Sequence, residues 1–211
     1  MSENIASKVS QRLKNLIKNP VTELNFNNLF ELLIAVMLSA QCTDKRVNIV
    51  TTDLFKKYKT PYDFSVLKDE ELEDMIKSCN YYKNKAKNII KASKMIVEKF
   101  NGDVPCTHDE LVMLPGVGNK TANVVLAVGF GVQAFPVDTH ILRVSNRLGL
   151  SKSNNPDKCE RDLKSVFKDY DWNEMHHLML LFGRYHCMAK KPNCTNCPRI
   201  DLCKIIDKTR S

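Results

Sequence analysis

Residues 114–126, LPGVGNKTANVVL, constrain the fold of this chain more tightly than any other stretch, because they end one short apolar segment, turn and begin a helix. Pro115 and Gly116 stop the preceding segment, and Gly116 and Gly118 permit backbone angles and close approaches that a side chain would block. A helix is expected to start near Gly118. Beyond it Ala122, Val125, Leu126 and Gly129 recur at helical spacing, which buries one face and leaves the unpaired N–H groups of the first turn at the surface. A glycine turn opening a helix offers backbone donors and the positive end of the dipole to an anion such as phosphate. It equally serves as a purely structural loop. Lys120 falls in that first turn, where the dipole disfavours positive charge and lowers an amine's pKa. An amine made partly neutral is a nucleophile able to form a Schiff base; a lysine that simply points at a phosphate is the alternative.

The rest of the pattern is helical. Ile5, Val9, Leu13, Leu16 and Ile17 mark a first amphipathic helix that Pro20 terminates, and residues 28–40, NLFELLIAVMLSA, are apolar on nearly every side, as in the central helix of a bundle. Gln41 and Thr43 follow as a polar pair expected to cap that helix. Val47, Val50, Leu54 and Phe55 predict another helix, as do Leu72, Met75 and Ile76, and Ala86, Ile89, Ile90, Ser93 and Val97. No alternating run long enough for a sheet occurs, so the fold class is all-α. A chain of 211 residues, 43% apolar, buries one good core or two small ones, and two lobes are expected.

A formal charge of +8 favours a polyanionic partner. No apolar run reaches the roughly 18 residues of a membrane span, and the polar amphipathic N-terminus is not a signal sequence, so a cytoplasmic protein is expected. A reducing compartment leaves the eight cysteines as free thiols. Cys42, Cys79, Cys106 and Cys159 are scattered singly, each expected to be small and partly buried. Cys187, Cys194, Cys197 and Cys203 crowd together as C-x6-C-x2-C-x5-C, a metal-binding pattern open to tetrahedral zinc or to an iron-sulfur cluster. Zinc sites usually pair two C-x2-C knuckles and this tail has one, which favours the cluster. Lys190 and Lys191 lie in the first ligand loop, so ligation would present a rigid lysine loop to phosphates.

Residues 77–94 are rich in lysine and free of acid, with Lys83, Lys87, Lys91 and Lys94 on one face opposite Ile89 and Ile90. A solvated helix face accounts for that pattern; Asn80, Tyr81 and Tyr82 in the preceding loop add exposed aromatics of the kind that stack on bases beside neutralised phosphates. In FPVDTHILRV, Asp138 follows an extended Pro136-Val137 and precedes a helix bearing Ile141, Val144 and Leu148. That is an N-cap position, and a carboxylate near an amine nucleophile would also accept its proton or stabilise a cationic transition state.

Taken together, LPGVGNKTANVVL, VDTH, the four-cysteine tail and ELNFNNLFELLIAVMLSAQCTD, in that order and spacing, resemble the bacterial endonuclease III family of helix-hairpin-helix DNA glycosylases over almost the whole chain. The resemblance implies a six-helix lobe over residues 21–133 containing the hairpin, and a second lobe joining residues 1–20 to 134–211 around a [4Fe-4S] cluster held by Cys187, Cys194, Cys197 and Cys203. It implies a monomer acting on double-stranded DNA that carries damaged pyrimidines or abasic sites, with no membrane partner. Lys120 matches the family's nucleophile and Asp138 its essential carboxylate. Leu114, Pro115, Gly116, Val117 and Gly118 match the DNA-binding hairpin, with Lys191 a further DNA contact. Gln41 would fill the space left by an extruded base, and residue 81 would wedge into the duplex. The family commonly has Gly-Leu-Tyr where this chain has Asn80-Tyr81-Tyr82, so the wedge would be a tyrosine. Relatives that remove adenine from mismatches lack the lysine and carry a further C-terminal domain; this chain keeps Lys120 and ends soon after Cys203. A non-catalytic DNA-binding module, with Lys120 on a phosphate, Asp138 as a cap and zinc on the cysteines, is the reading from another class.

Overall fold

The computed structural model describes residues 5–195, 197, 198 and 203. Residues 1–4, 196, 199–202 and 204–211 lie outside the described residues. Among the described residues the chain is all-α: α1 (Ile5–Leu16), α2 (Leu29–Ser39), α3 (Asp44–Lys57), α4 (Pro61–Ser65), α5 (Asp69–Ile76), α6 (Tyr82–Phe100), α7 (His108–Met113), α8 (Asn119–Phe130), α9 (Thr139–Leu148), α10 (Pro156–Val166) and α11 (Trp172–Tyr185). None of these helices is long and apolar enough to cross a membrane. The chain divides into two compact units, one from Glu23 to Val132 and one formed by the segments up to Thr22 and from Gln133 on.

In the first unit α2 is the central helix. Every residue from Phe30 to Leu38 is buried, and each large apolar side chain among them contributes about 1.5–3 kcal/mol through burial. The helix starts where Asn28 accepts the Glu31 N–H at 2.8 Å. Its partner α8 approaches closely because Gly129 has no side chain: a Cβ there would stand 2.7 Å from a Leu29 methyl and 3.0 Å from one of Leu32. The predicted anchors Val47, Val50, Leu54 and Phe55 of α3 and Leu72 and Ile76 of α5 join the same core. On α6 the buried stripe runs through Lys85, Ala86, Ile89, Ile90, Ala92, Ser93 and Ile96, while Val97, expected in the core, is half-buried.

The second unit packs α1, α9, α10 and α11 around Phe135, Phe167 and Phe182, with the Phe135 and Phe167 rings stacked 6.1 Å apart. Val9 and Leu13 of α1 are fully buried as expected, whereas Ile5 and Leu16 are 39% and 43% exposed. Ala6 and Ser10 take the inward positions instead, completing with Val9 and Leu13 the i, i+3, i+4, i+7 face of the helix.

Three further expectations are corrected. Gln41 and Thr43 do not cap α2: Ala40 is its C-cap, Gln41 turns left-handed at φ 54°, and Thr43 caps α3 by accepting the Arg46 N–H. Cys42 is partly buried as expected, but Cys79 and Cys159 are fully buried. Cys106 is exposed rather than partly buried.

Candidate active site and nucleic-acid interface

The hairpin is built around two anchors. Leu114 and Val117 are buried and the Val117 N–H reaches the Leu114 carbonyl at 3.0 Å, closing the turn that carries Pro115 and Gly116 outward. Gly116 has φ 83°, and a Cβ there would lie 2.8 Å from Asn88 Cβ on α6, so this position requires glycine twice over. Gly118 is the N-cap of α8, in extended backbone with nothing within 4 Å of a built Cβ. No side chain caps this helix, which leaves the first-turn N–H groups facing outward. Lys120 is exposed within that turn.

In the second unit Asp138 is half-buried at the N-cap of α9, with Oδ1 accepting the Ile141 N–H at 2.8 Å. The capping prediction is therefore met. Lys120 belongs to one unit and Asp138 to the other.

Gln41 and Tyr81 are both exposed and both left-handed, with φ 54° and 58°. Such angles are unfavourable for side chains that lack glycine's freedom. Among the described residues the non-glycine positions with positive φ are Gln41, Tyr81, Asn101 and Lys191. Asn101 ends α6 as an ordinary left-handed C-cap; the other three are positions that the family resemblance nominates as DNA contacts. Two residues of the α6 region hold the Gln41 turn. Asn80 Nδ2 donates to the Gln41 carbonyl at 2.6 Å, and Lys85 Nζ donates to the Leu38 and Ala40 carbonyls, each at 2.7 Å. Burial lowers the Lys85 pKa, with the thiols of Cys79 and Cys42 opposing the shift. Beneath this turn, burial pushes the Cys79 thiol up to about 11, Cys42 acting in the same sense.

The first cysteine loop is tied to α9 by two arginines. Arg143 donates through Nε to the Cys187 carbonyl at 3.1 Å and through Nη2 to the Gly183 carbonyl at 2.8 Å. Arg147 donates to the Met188 carbonyl at 2.7 Å and to Cys187 Sγ at 3.3 Å. Burial holds the Arg143 guanidinium below its ordinary value, and Arg147 beside it adds to the effect. Lys191 is exposed on the loop thus fixed. Cys187, Cys194, Cys197 and Cys203 are half-buried. A guanidinium donating to Cys187 Sγ suits a thiolate that carries charge to a metal, so the donor set fits a four-cysteine cluster. Among the described residues no three of the ligand-type side chains converge on one point.

Sequence reasoning named neither Lys85 as a buried group nor Arg143 and Arg147. Lys85 carried a signal, since it falls on the apolar stripe with Ile89, Ala92 and Ile96 rather than on the exposed lysine face. The two arginines stand one turn apart amid apolar residues, a weaker cue.

A family model described as HhH-GPD superfamily base excision DNA repair protein matches residues 34–169. The chain belongs to that superfamily. The match contains Gln41, Tyr81, the 114–118 hairpin, Lys120 and Asp138, and stops short of the cysteine tail. Endonuclease III of Bacillus subtilis (strain 168) is 53% identical over 183 residues, covering 86% of this chain and 84% of that protein. Endonuclease III of Treponema pallidum (strain Nichols) is 48% identical over 184 residues, covering 87% of each. A solved structure of a trapped endonuclease III–DNA covalent intermediate, an estranged-adenine complex, superposes with a TM-score of 0.89 at 48% identity, over 93% of this chain and 92% of that one. These HhH-GPD relatives lend no support to a non-catalytic zinc module.

Proposed function

We propose that this protein is a bifunctional base-excision repair enzyme of the endonuclease III type, acting in the cytoplasm as a monomer on duplex DNA. It removes oxidised pyrimidines and cleaves the strand 3′ to the resulting abasic site. The observation that carries this reading is the 48% identity to an endonuclease III trapped covalently on DNA, together with an exposed Lys120 in the first turn of a helix that no side chain caps.

A damaged pyrimidine leaves the stack more readily than an intact one, since a ring that has lost its aromaticity stacks poorly. The Lys120 amine attacks C1′ as the base departs. Asp138 balances the oxocarbenium-like charge and assists proton transfer, by the logic of glycosidic cleavage. The Schiff base formed on Lys120 acidifies the 2′ hydrogen, and β-elimination then breaks the C3′–O bond. The hairpin of Leu114, Pro115, Gly116, Val117 and Gly118 turns the N–H groups of Gly116 and Gly118 toward a phosphate, the Leu114 and Val117 N–H groups being spent on closing the turn. Gln41 occupies the vacated position, Tyr81 wedges into the stack, and Lys191 contacts the backbone. Cys187, Cys194, Cys197 and Cys203 would hold a [4Fe-4S] cluster whose role is to tie the Lys191 loop in place. The hairpin lobe spans residues 21–133, and the cluster lobe residues 1–20 and 134–211.

Borohydride trapping tests the reading. Only an imine between an amine and the sugar C1′ is reduced to a stable crosslink, so the protein should be captured on duplex DNA bearing thymine glycol, and Lys120→Gln should abolish capture while keeping weakened binding. Base release by wild type without any crosslink would make water the attacker and remove the lyase half. A crosslink that survives Lys120→Gln would assign the nucleophile to another amine.

A further inference from the structure

Gln41 and Tyr81 sit on separate turns, one between α2 and α3 and one before α6. Each turn is tied to the other by groups that neither the reaction nor the hairpin uses. The carbonyls of Leu38, Ala40 and Gln41 all receive donors from the α6 side, at 2.7, 2.7 and 2.6 Å. Lys85 links the turns in both directions, because its side chain bonds the end of α2 while its own N–H reaches the Tyr81 carbonyl at 3.0 Å. Asn80 immediately precedes Tyr81 and grips the backbone of Gln41 itself. Two strained, exposed residues are thereby held in one frame. A side chain that must enter a base stack gains most from being fixed beforehand, since ordering it during binding opposes binding.

We propose that Asn80 and Lys85 are positioning residues: they brace Gln41 against Tyr81 so that filler and wedge enter the duplex as one rigid pair. The proposal rests on the function argued above. Asn80 is the chain's own device, standing where the family pattern commonly has glycine, which carries no side-chain donor. The brace acts only where a stack must be opened, so it affects paired lesions and spares unpaired ones.

The test is single-turnover base release by the full-length protein from duplex carrying thymine glycol opposite adenine and, separately, opposite a gap. Asn80 is exposed, so Asn80→Ala should fold with an unchanged thermal midpoint. It should slow release from the paired substrate about 2- to 10-fold, the span of one hydrogen bond, and leave the unpaired substrate within about twofold. In a Gln41→Ala background Asn80→Ala should cost less than it does alone, because one of the two braced side chains is gone. Asn80→Gln, which retains an amide donor, should recover part of the loss. Equal slowing on both substrates, or additive losses in the double variant, would overturn the brace while leaving the function intact. Wild-type protein that releases the base from neither substrate would overturn the function, and the brace with it.

Discussion

Asp138 shows how one carboxylate can satisfy a structural and a chemical reading at once. Its Oδ1 accepts the Ile141 N–H, a bond that an amide oxygen makes equally well, whereas charge balance at a developing cation needs the anion. Asp138→Asn should therefore keep the thermal midpoint close to wild type while base release falls about 10²- to 10³-fold. Asp138→Ala should lose the cap as well, costing about 1 kcal/mol of stability. A fall in midpoint equal for the two variants, measured by thermal melting, would assign Asp138 to folding alone. The capping role was legible in the sequence, because an extended Pro-Val before an amphipathic helix is a local signal. Lys85 was only half legible: its place on the apolar stripe of α6 signals burial, but its partners are backbone carbonyls of a helix far away in the chain. Gln41 was misread as a cap for the same reason, since the bonds that fix its turn come from residues 80 and 85.

Among the elements, the hairpin separates two glycines that look alike in sequence. Gly116 combines φ 83° with a close approach to Asn88 Cβ, an atom that cannot move unless α6 moves. Gly118 has room for a side chain and ordinary backbone angles. Gly116→Ala should destabilise the protein by about 1–3 kcal/mol in chemical denaturation. Gly118→Ser should leave stability unchanged or slightly higher, since serine is a better N-cap than glycine. Its hydroxyl would, however, accept first-turn N–H groups otherwise available to a phosphate, so affinity for duplex DNA should fall about 2- to 10-fold. An unchanged affinity in Gly118→Ser would remove the helix start from the DNA interface. The sequence pointed to both glycines as necessary for the turn; only the packing against α6 distinguishes the one that folding requires from the one that function favours.

At the scale of the whole molecule, α1, α2, α3, α5, α6, α8 and α9 were readable because apolar spacing is a local property, and so was the excess of +8 charge, whereas α4, α10 and α11 went unread. Where that charge acts was not readable, since a lysine face on an amphipathic helix is the same pattern whether it meets water or DNA. The fold adds one constraint: Asn88 of α6 abuts Gly116 of the hairpin. Three residues along a helix bring a side chain back to within about 60° of the same direction, so among the exposed lysines within one turn of Asn88 it is Lys91 that points closest to the hairpin, with Lys87 next. Lys56, exposed on α3 and paired with Asp53 at 3.1 Å, carries the same charge elsewhere in that unit. If the hairpin docks on a phosphate, Lys91 neutralises a neighbouring one, and its loss releases fewer counterions. Lys91→Ala should then reduce the slope of log affinity against log salt for undamaged duplex by about 0.9, Lys87→Ala by no more than that, and Lys56→Ala by nothing measurable in fluorescence anisotropy titrations. Equal reductions for Lys91→Ala and Lys56→Ala would mean that net charge alone draws the protein to DNA and that the α6 face is solvated.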